Sequence, residues 1–144
     1  VGNIMIDEAT GRGTCIVDLD TVQPGLVHYD IGDATRSVCN PAGEDAPELG
    51  SVVFDLDLFT MFHRGYQAHA QDFLSPADRR HLYDCIHLIP LELGLRFLAD
   101  HLAGDVYFKV RYPGHNLRRA LVQFKLAESI EAREPAIRKV LGER

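Results

Sequence analysis

The spacing of apolar residues changes once along this chain and separates a short β part from a longer helical part. Residues 4–6 and 15–17 are apolar runs on either side of a polar, glycine-rich stretch at residues 7–13. Two such runs around a turn predict a β-hairpin. From residue 30 onward, apolar residues recur at intervals of three and four, which predicts amphipathic helices. The pattern therefore favours a mainly helical α+β fold.

The helical part contains one clear helix start. Ser75, Pro76 and Asp78 supply a cap, a proline at the first helical position and a carboxylate at the third. We expect the helix that they open to be the longest and most central of the chain, with a kink at Pro90. Helices are predicted over residues 30–38, 55–70, 76–103 and 116–133, with a short one from residue 135.

Three segments outside these helices lack helical spacing. Residues 21–28 contain a Pro-Gly pair and predict a turn-bearing loop. Residues 40–50 combine prolines, glycines and carboxylates, and we expect an exposed, mobile loop. Residues 106–110 are predicted to be a short extended segment.

Composition limits the possible partners and the compartment. A chain of 144 residues, 46% hydrophobic and 25% charged, is typical of one globular domain. Its formal net charge of −6 argues against nucleic acid or an anionic membrane as the main partner. The three cysteines are widely spaced and predict neither a disulfide framework nor a zinc site. No apolar run approaches the roughly 20 residues of a membrane span. A cytoplasmic protein is therefore expected.

The hairpin brings two oxygen ligands together. Asn3 precedes the first predicted strand and Asp18 follows the second, so antiparallel pairing places both at the same end. An amide oxygen and a carboxylate suit Mg²⁺, which takes few protein ligands when nucleotide phosphates complete its coordination. This pair predicts phosphoryl transfer. Asp20 could support a second metal ion or accept backbone hydrogen bonds, and the sequence leaves both open.

These motifs resemble a known family. Asn3, the hairpin and the segment IVDLDTVQPGLVHYDIGD at residues 16–33 resemble the aminoglycoside phosphotransferase-like small-molecule kinases. This segment looks closest to the N-acetylhexosamine 1-kinase branch, and the resemblance continues through later motifs, including LELGLRFLAD at 91–100 and GDVYFK at 104–109. The resemblance implies the C-terminal lobe of a protein-kinase-like phosphotransferase, in which a hairpin carrying metal ligands precedes a helical bundle. It also implies Mg²⁺ and ATP.

The same resemblance implies a division of the lobe and a missing part. Residues 1–54 would hold the end of the catalytic loop, the metal-binding hairpin, a short helix and a loop. Residues 55–144 would form the helical, substrate-side subdomain. Relatives carry the catalytic Asp base a few residues before the loop Asn, so we expect the base upstream of Val1 and no catalytic residue within this chain. An N-terminal lobe is the expected partner, and the isolated chain is expected to be inactive.

Substrate contacts and supporting residues are less sharply indicated. Arg96, in the most apolar helix, could donate to sugar hydroxyls or an acetamido carbonyl, with Tyr107 in the same pocket. An ion pair with Glu92, four residues earlier, is the structural alternative. Asp30 and Asp33 are interpreted mainly as helix caps, or else as support for the catalytic loop.

Three functions remain open from the sequence. The first is an ATP- and Mg²⁺-dependent kinase acting on a sugar hydroxyl, in particular the anomeric hydroxyl of an N-acetylhexosamine. The second is a kinase of the same fold with another acceptor, such as an aminoglycoside, choline or homoserine. A cationic acceptor would require more carboxylates in the pocket. The third is a non-catalytic sugar-binding or interaction module.

Overall fold

A two-stranded hairpin precedes six α-helices in the computed structural model, which describes residues 3–20, 22–70 and 72–142. The strands are β1 (Ile4–Ile6) and β2 (Gly13–Ile16). The helices are α1 (Val27–Val38), α2 (Leu56–Ala70), α3 (Pro76–Arg80), α4 (Leu82–Leu102), α5 (His115–Glu131) and α6 (Glu134–Leu141), with a 3₁₀ turn at Leu49–Ser51 before α2. The mainly helical α+β fold is confirmed.

The hairpin forms as the apolar pattern predicts. Its strands are antiparallel, with Ile4 opposite Ile16 and Met5 opposite Cys15. The side chains of residues 3–20 are all exposed, so the hairpin contributes nothing to the buried core of the described chain. Since both strands keep apolar side chains in solvent, their pairing depends on the ladder hydrogen bonds and the turn at Asp7, whose carboxylate accepts hydrogen bonds from Thr10 N (2.8 Å) and Thr10 Oγ1 (2.9 Å).

Helix α4 lies at the centre of the fold, packed against α1 on one side and α5 on the other. Two glycines permit these close contacts. A Cβ at Gly32 would lie 2.4 Å from Ile89 Cγ1 and 2.9 Å from the Cys85 carbonyl oxygen. A Cβ at Gly94 would lie 2.6 Å from the Phe124 ring. The fully buried core side chains around these contacts include Phe54, Phe59, Ile86, Phe97, Val122, Leu126, Ile130 and Ile137.

The predicted helix start at Ser75 is confirmed, but the helix that it opens is short. Ser75 Oγ accepts the Asp78 N–H at 3.1 Å, and the Asp78 carboxylate accepts the Ser75 N–H at 2.9 Å, which completes a capping box. This helix, α3, ends at Arg80, and the longest helix, α4, begins separately at Leu82. Helix α3 buries no residue, and the buried residues begin with Leu82 in α4, after His81, whose backbone is not helical (φ −105°, ψ 8°).

Other segments also differ from the predictions. Helix α1 begins at Val27 rather than Asp30, which shortens the preceding loop. Residues 106–110, predicted to be a short extended segment, form bends at residues 107–108 and loop. The loop at residues 40–50 is anchored: Ala46 is fully buried, and Arg118 Nε donates to its carbonyl oxygen at 3.1 Å. Its glycines and prolines correctly predict turns, but they give no information about this distant partner.

No helix within the described ranges is both long enough and apolar enough to cross a membrane.

Candidate active site

The two predicted metal ligands meet at the open end of the hairpin. Val17 N donates to the Asn3 carbonyl oxygen at 2.9 Å, which fixes the backbone there. Asn3 Nδ2 donates to Asp18 Oδ2 at 3.1 Å. Asn3 Oδ1 and Asp18 Oδ1 have no hydrogen-bond partner within residues 3–20, 22–70 and 72–142. The pair therefore presents two uncommitted oxygens to solvent.

The backbone at Asp18 adopts an uncommon conformation. Its φ is +61°, in the left-handed region that Asp tolerates better than most residues. Strain of this kind persists where the position of a side chain matters, and it often marks functional sites. The positive φ of Asp18 turns the chain just after β2, where the Asp18 carboxylate meets Asn3.

The donor set suits a hard cation. Mg²⁺ is commonly held by one or two protein oxygens together with water and substrate phosphates. Among the residues that the structure describes, no three His, Cys, Asp or Glu side chains cluster into a metal site. Asn3 and Asp18 offer one amide and one carboxylate, which is fewer ligands than such a cluster would have.

A second feature is an open cavity of about 510 Å³ beside the C-terminal half of α4. It is lined by Arg96, Ala99, Asp100, Ala103, Tyr107 and Phe108, so the structure brings Arg96 and Tyr107 to one pocket. The Arg96 guanidinium lies 5.5 Å from the Phe108 ring centroid, and Arg96 Nε lies 3.7 Å from Glu92 Oε1. The Arg96 and Glu92 side chains are each 49% exposed, so this ion pair contributes little to the stability of the fold.

The Asp100 carboxylate shapes this cavity. Asp100 Oδ1 accepts the backbone N–H groups of Val106 (2.9 Å) and Tyr107 (2.8 Å), and Oδ2 accepts that of Phe108 (2.9 Å). Asn116 Nδ2 also donates to Oδ2 at 2.9 Å. Burial acts to raise the pKa of Asp100, but the three backbone donors outweigh it and hold that pKa below its ordinary value. Both oxygens are thus committed to fixing the cavity wall.

The remaining predicted residues lie elsewhere. Asp20 is exposed and has no hydrogen-bond or ion-pair partner in the described part of the chain.

Asp30 lies in the first turn of α1, whose N-cap position is Leu26, so the expected capping by Asp30 is wrong. Asp33 pairs with Arg36 at 2.7 Å. Since α1 begins three residues earlier than predicted, both carboxylates lie inside the helix, and neither contacts Asn3 or Asp18.

A sequence comparison identifies the family. The sequence model of the phosphotransferase enzyme family, APH, matches residues 1–83, which is more than half of the 144 residues. The chain belongs to this family. The match supports the aminoglycoside phosphotransferase-like superfamily and indicates kinase-type phosphotransferase activity.

The family match covers one of the two features described above. Residues 1–83 include the hairpin with Asn3 and Asp18, and all of α1 to α3. Phosphotransferases of this family generally use ATP and Mg²⁺, and the oxygen pair at the hairpin end suits that cation. The cavity around Arg96 and Tyr107 lies beyond the matched residues. The function of this cavity is therefore inferred from its lining residues and not from the family match.

Sequence reasoning missed the contacts that assemble this second feature. The Arg119 guanidinium lies 3.9 Å from the Phe97 ring centroid and 5.7 Å from that of Phe108. The same guanidinium pairs with Glu44, and Arg119 Nη1 donates to Asn116 Oδ1 at 3.2 Å. An arginine on a helix gives no local signal of such partners, because the Glu44 loop lies 75 residues away.

Proposed function

We propose that this phosphotransferase is an ATP- and Mg²⁺-dependent small-molecule kinase that phosphorylates a hydroxyl group of a neutral sugar. The chain would form the C-terminal lobe of a protein-kinase-like fold, with metal ligands in residues 1–54 and the acceptor side in residues 55–144. The observation that carries the proposal is the pairing of Asn3 with Asp18 at the hairpin end, within the residues that match the family.

In this proposal, Asn3 Oδ1 and the Asp18 carboxylate hold Mg²⁺. The bound ion would neutralise charge on the nucleotide phosphates during transfer. The hydrogen bond between Asn3 and Asp18 restrains both side chains before any ligand binds, which lowers the entropic cost of assembling the site. Asp20 is exposed nearby in sequence and could support a second ion. No residue of the described chain is assigned as the general base.

The cavity chemistry supports a neutral acceptor. Its one carboxylate, Asp100, is fully used by backbone and amide donors, so it offers no uncommitted anion to an aminoglycoside or choline. Ala99, Ala103 and Phe108 offer an apolar wall against which a sugar ring can pack. Arg96 and Tyr107 add polar groups for hydroxyls. An N-acetylhexosamine fits this set, because Arg96 can donate to its acetamido carbonyl, and the anomeric hydroxyl is the proposed acceptor.

The experiment that tests this function combines metal binding with turnover. Mn²⁺ serves as a paramagnetic probe, and broadening of backbone NMR signals reports where it binds. We expect broadening centred on Asn3 and Asp18 and its loss in Asp18→Ala. In the protein that includes the N-terminal lobe, the same substitution should abolish Mg²⁺-dependent phosphorylation of N-acetylhexosamines. Glu8→Ala is the matched control, because Glu8 is an exposed carboxylate at the opposite end of the hairpin.

Two results would contradict the proposal. Retained turnover in Asp18→Ala, with the fold intact, would remove the metal assignment. Phosphorylation of a cationic acceptor in preference to every neutral sugar would remove the acceptor assignment while leaving the kinase activity in place.

A further inference from the structure

A second cavity lies between α2 and α6, built from residues other than those assigned above. Its volume is about 560 Å³. It is lined by Thr60, His63, Arg64, Gln67, Ala136, Lys139 and Val140. The two helices pack directly on each other, and the buried Ile137 of α6 belongs to the hydrophobic core. The cavity is therefore supported on both sides by regular structure.

The charge of this cavity is positive. Arg64 and Lys139 line it, and no Asp or Glu does. Neither cation forms an ion pair or a side-chain hydrogen bond with the part of the chain that the structure describes. The whole chain carries a formal net charge of −6, so the charge of this cavity is opposite in sign to the net charge of the chain. A concave site lined by one sign of charge attracts the opposite sign.

A buried imidazole lies in the same cavity wall. His63 is only 5% exposed, although helix-face or surface exposure is the ordinary expectation for a histidine in an amphipathic helix. Its ring stacks on Phe59 at a centroid distance of 5.8 Å, and its Nε2 is buried without a hydrogen-bond partner within the described ranges. Burial, followed by the nearby positive charge of Arg79, lowers the pKa of His63. Native proteins seldom leave such an atom unsatisfied, so it indicates a polar group supplied from outside the described chain.

The other polar groups complete a donor set. The Gln67 side chain has no hydrogen-bond partner in the described structure, so its amide can donate to a ligand. The Thr60 hydroxyl already donates to the Leu56 carbonyl oxygen at 2.7 Å and is not available as a donor. Two cations and one amide therefore line one concave surface, with the buried ring of His63 in its wall.

We propose that this cavity binds a phosphate group, either as inorganic phosphate or as the phosphate of a monoester. A dianion matches the two cations in charge, and its several oxygens can accept from Arg64, Lys139 and Gln67 together. The site shares no residue with the hairpin end or the Arg96 cavity, so it does not depend on the kinase proposal.

The test is an NMR titration of the full chain with four probes: inorganic phosphate, glucose 1-phosphate, acetate and glucose. We expect saturable shifts of the α2 and α6 amides and of the His63 ring nitrogens with the two phosphates. Acetate should bind more weakly, since it carries one charge, and glucose should not bind. Arg64→Gln and Lys139→Gln should each weaken phosphate binding by about threefold or more. Arg80→Gln is the matched control, because Arg80 is exposed and lies outside the cavity.

The outcomes distinguish free phosphate from a phosphate ester, and binding in the cavity from attraction to total charge. Tighter binding of glucose 1-phosphate than of phosphate would identify a phosphate ester as the ligand, and equal binding would identify free phosphate. Absence of saturable shifts at millimolar phosphate would overturn the proposal. An equal loss of affinity in Arg80→Gln would also overturn it, because binding would then follow total charge rather than the cavity.

Discussion

At the scale of single residues, Asp100 and Arg96 make different contributions to the proposed acceptor cavity. Asp100 is buried and accepts four hydrogen bonds, so its role is to hold residues 106–108 in place. Arg96 is half exposed, and its contacts are one long ion pair with Glu92 at 3.7 Å and the Phe108 ring, whose centroid lies 5.5 Å away. A side chain with so little structural commitment can turn toward a ligand at small cost.

This difference predicts a selective effect of Arg96→Gln. If the protein phosphorylates an N-acetylhexosamine, losing the guanidinium should raise the KM for the sugar about tenfold, because a hydrogen bond from a charged donor is lost. The KM for ATP and the melting temperature should stay near their original values. Steady-state kinetics of the protein that includes the N-terminal lobe, with each substrate varied in turn, and thermal unfolding provide the measurement.

Glu92→Gln is the control for the Arg96 variant. It breaks the same exposed ion pair but leaves the guanidinium in the cavity, so the KM for the sugar should change by less than about twofold. A similar rise in KM in both variants would mean that the ion pair, and not the guanidinium, matters. If Arg96→Gln unfolds, the role of Arg96 is to stabilise the fold and not to bind the sugar.

At the scale of elements, α1 crosses α4 at close range where Gly32 lies. The Cβ positions show why Gly32 must remain small there: the nearest atoms belong to Ile89 and to the backbone carbonyl of Cys85. Backbone cannot move aside as a flexible side chain can. The apolar spacing of residues 30–38 predicts which face of α1 is buried, but it gives no interhelical distance.

We therefore expect Gly32→Ala to destabilise the fold by about 1–3 kcal/mol through overpacking. Gly65→Ala is the matched control, since Gly65 lies within α2 and a Cβ there meets nothing within 4 Å. Removing an exposed helical glycine should stabilise the fold by about 0.5–1 kcal/mol. Urea unfolding followed by circular dichroism measures both, and equal effects of the two substitutions would contradict the close-packed crossing.

The sequence predicts local structure well here and long-range structure poorly. The hairpin, the capping box at Ser75 and the meeting of Asn3 with Asp18 follow from neighbouring residues and strand pairing, and each is present. The break between α3 and α4 is not predicted, because the non-helical backbone of His81 carries no glycine or proline signal in the sequence. The committed oxygens of Asp100 are also missed, since a carboxylate in a helix has the same local pattern whether or not it caps a later loop.

At the scale of the whole molecule, the loop at residues 40–50 is tied to α5 by charged groups distant in sequence. Asp45 Oδ1 lies 2.6 Å from His115 Nε2, and Asp45 Oδ2 lies 3.1 Å from Arg111 Nη1. His115 Nδ1 accepts the Arg111 backbone N–H at 3.2 Å, so the ring proton belongs on Nε2, which donates to Asp45. Because His115 is only 3% exposed, this contact joins the loop to the interior.

The contact of Asp45 predicts how stability depends on acid. The hydrogen bond from His115, together with the charges of Arg111 and Arg119, outweighs the opposing effect of burial and lowers the pKa of Asp45 in the folded state below its unfolded value of 3.8. The carboxylate therefore stabilises the fold fully above pH 3.8, and that contribution is lost as the pH falls through the lower folded pKa. Since the side chain is 42% exposed, solvent screening limits the effect to about 1 kcal/mol.

We thus expect Asp45→Asn to be less stable than the original protein by about 1 kcal/mol near neutral pH, with the difference shrinking toward zero below the folded pKa. Urea unfolding at a series of pH values measures this difference directly. Asp72→Asn is the control, because it removes an equal charge from an exposed side chain that has no partner in the described structure. A stability gap for Asp45→Asn that persisted unchanged in acid would show that shape, and not the charge of the carboxylate, joins the loop to α5.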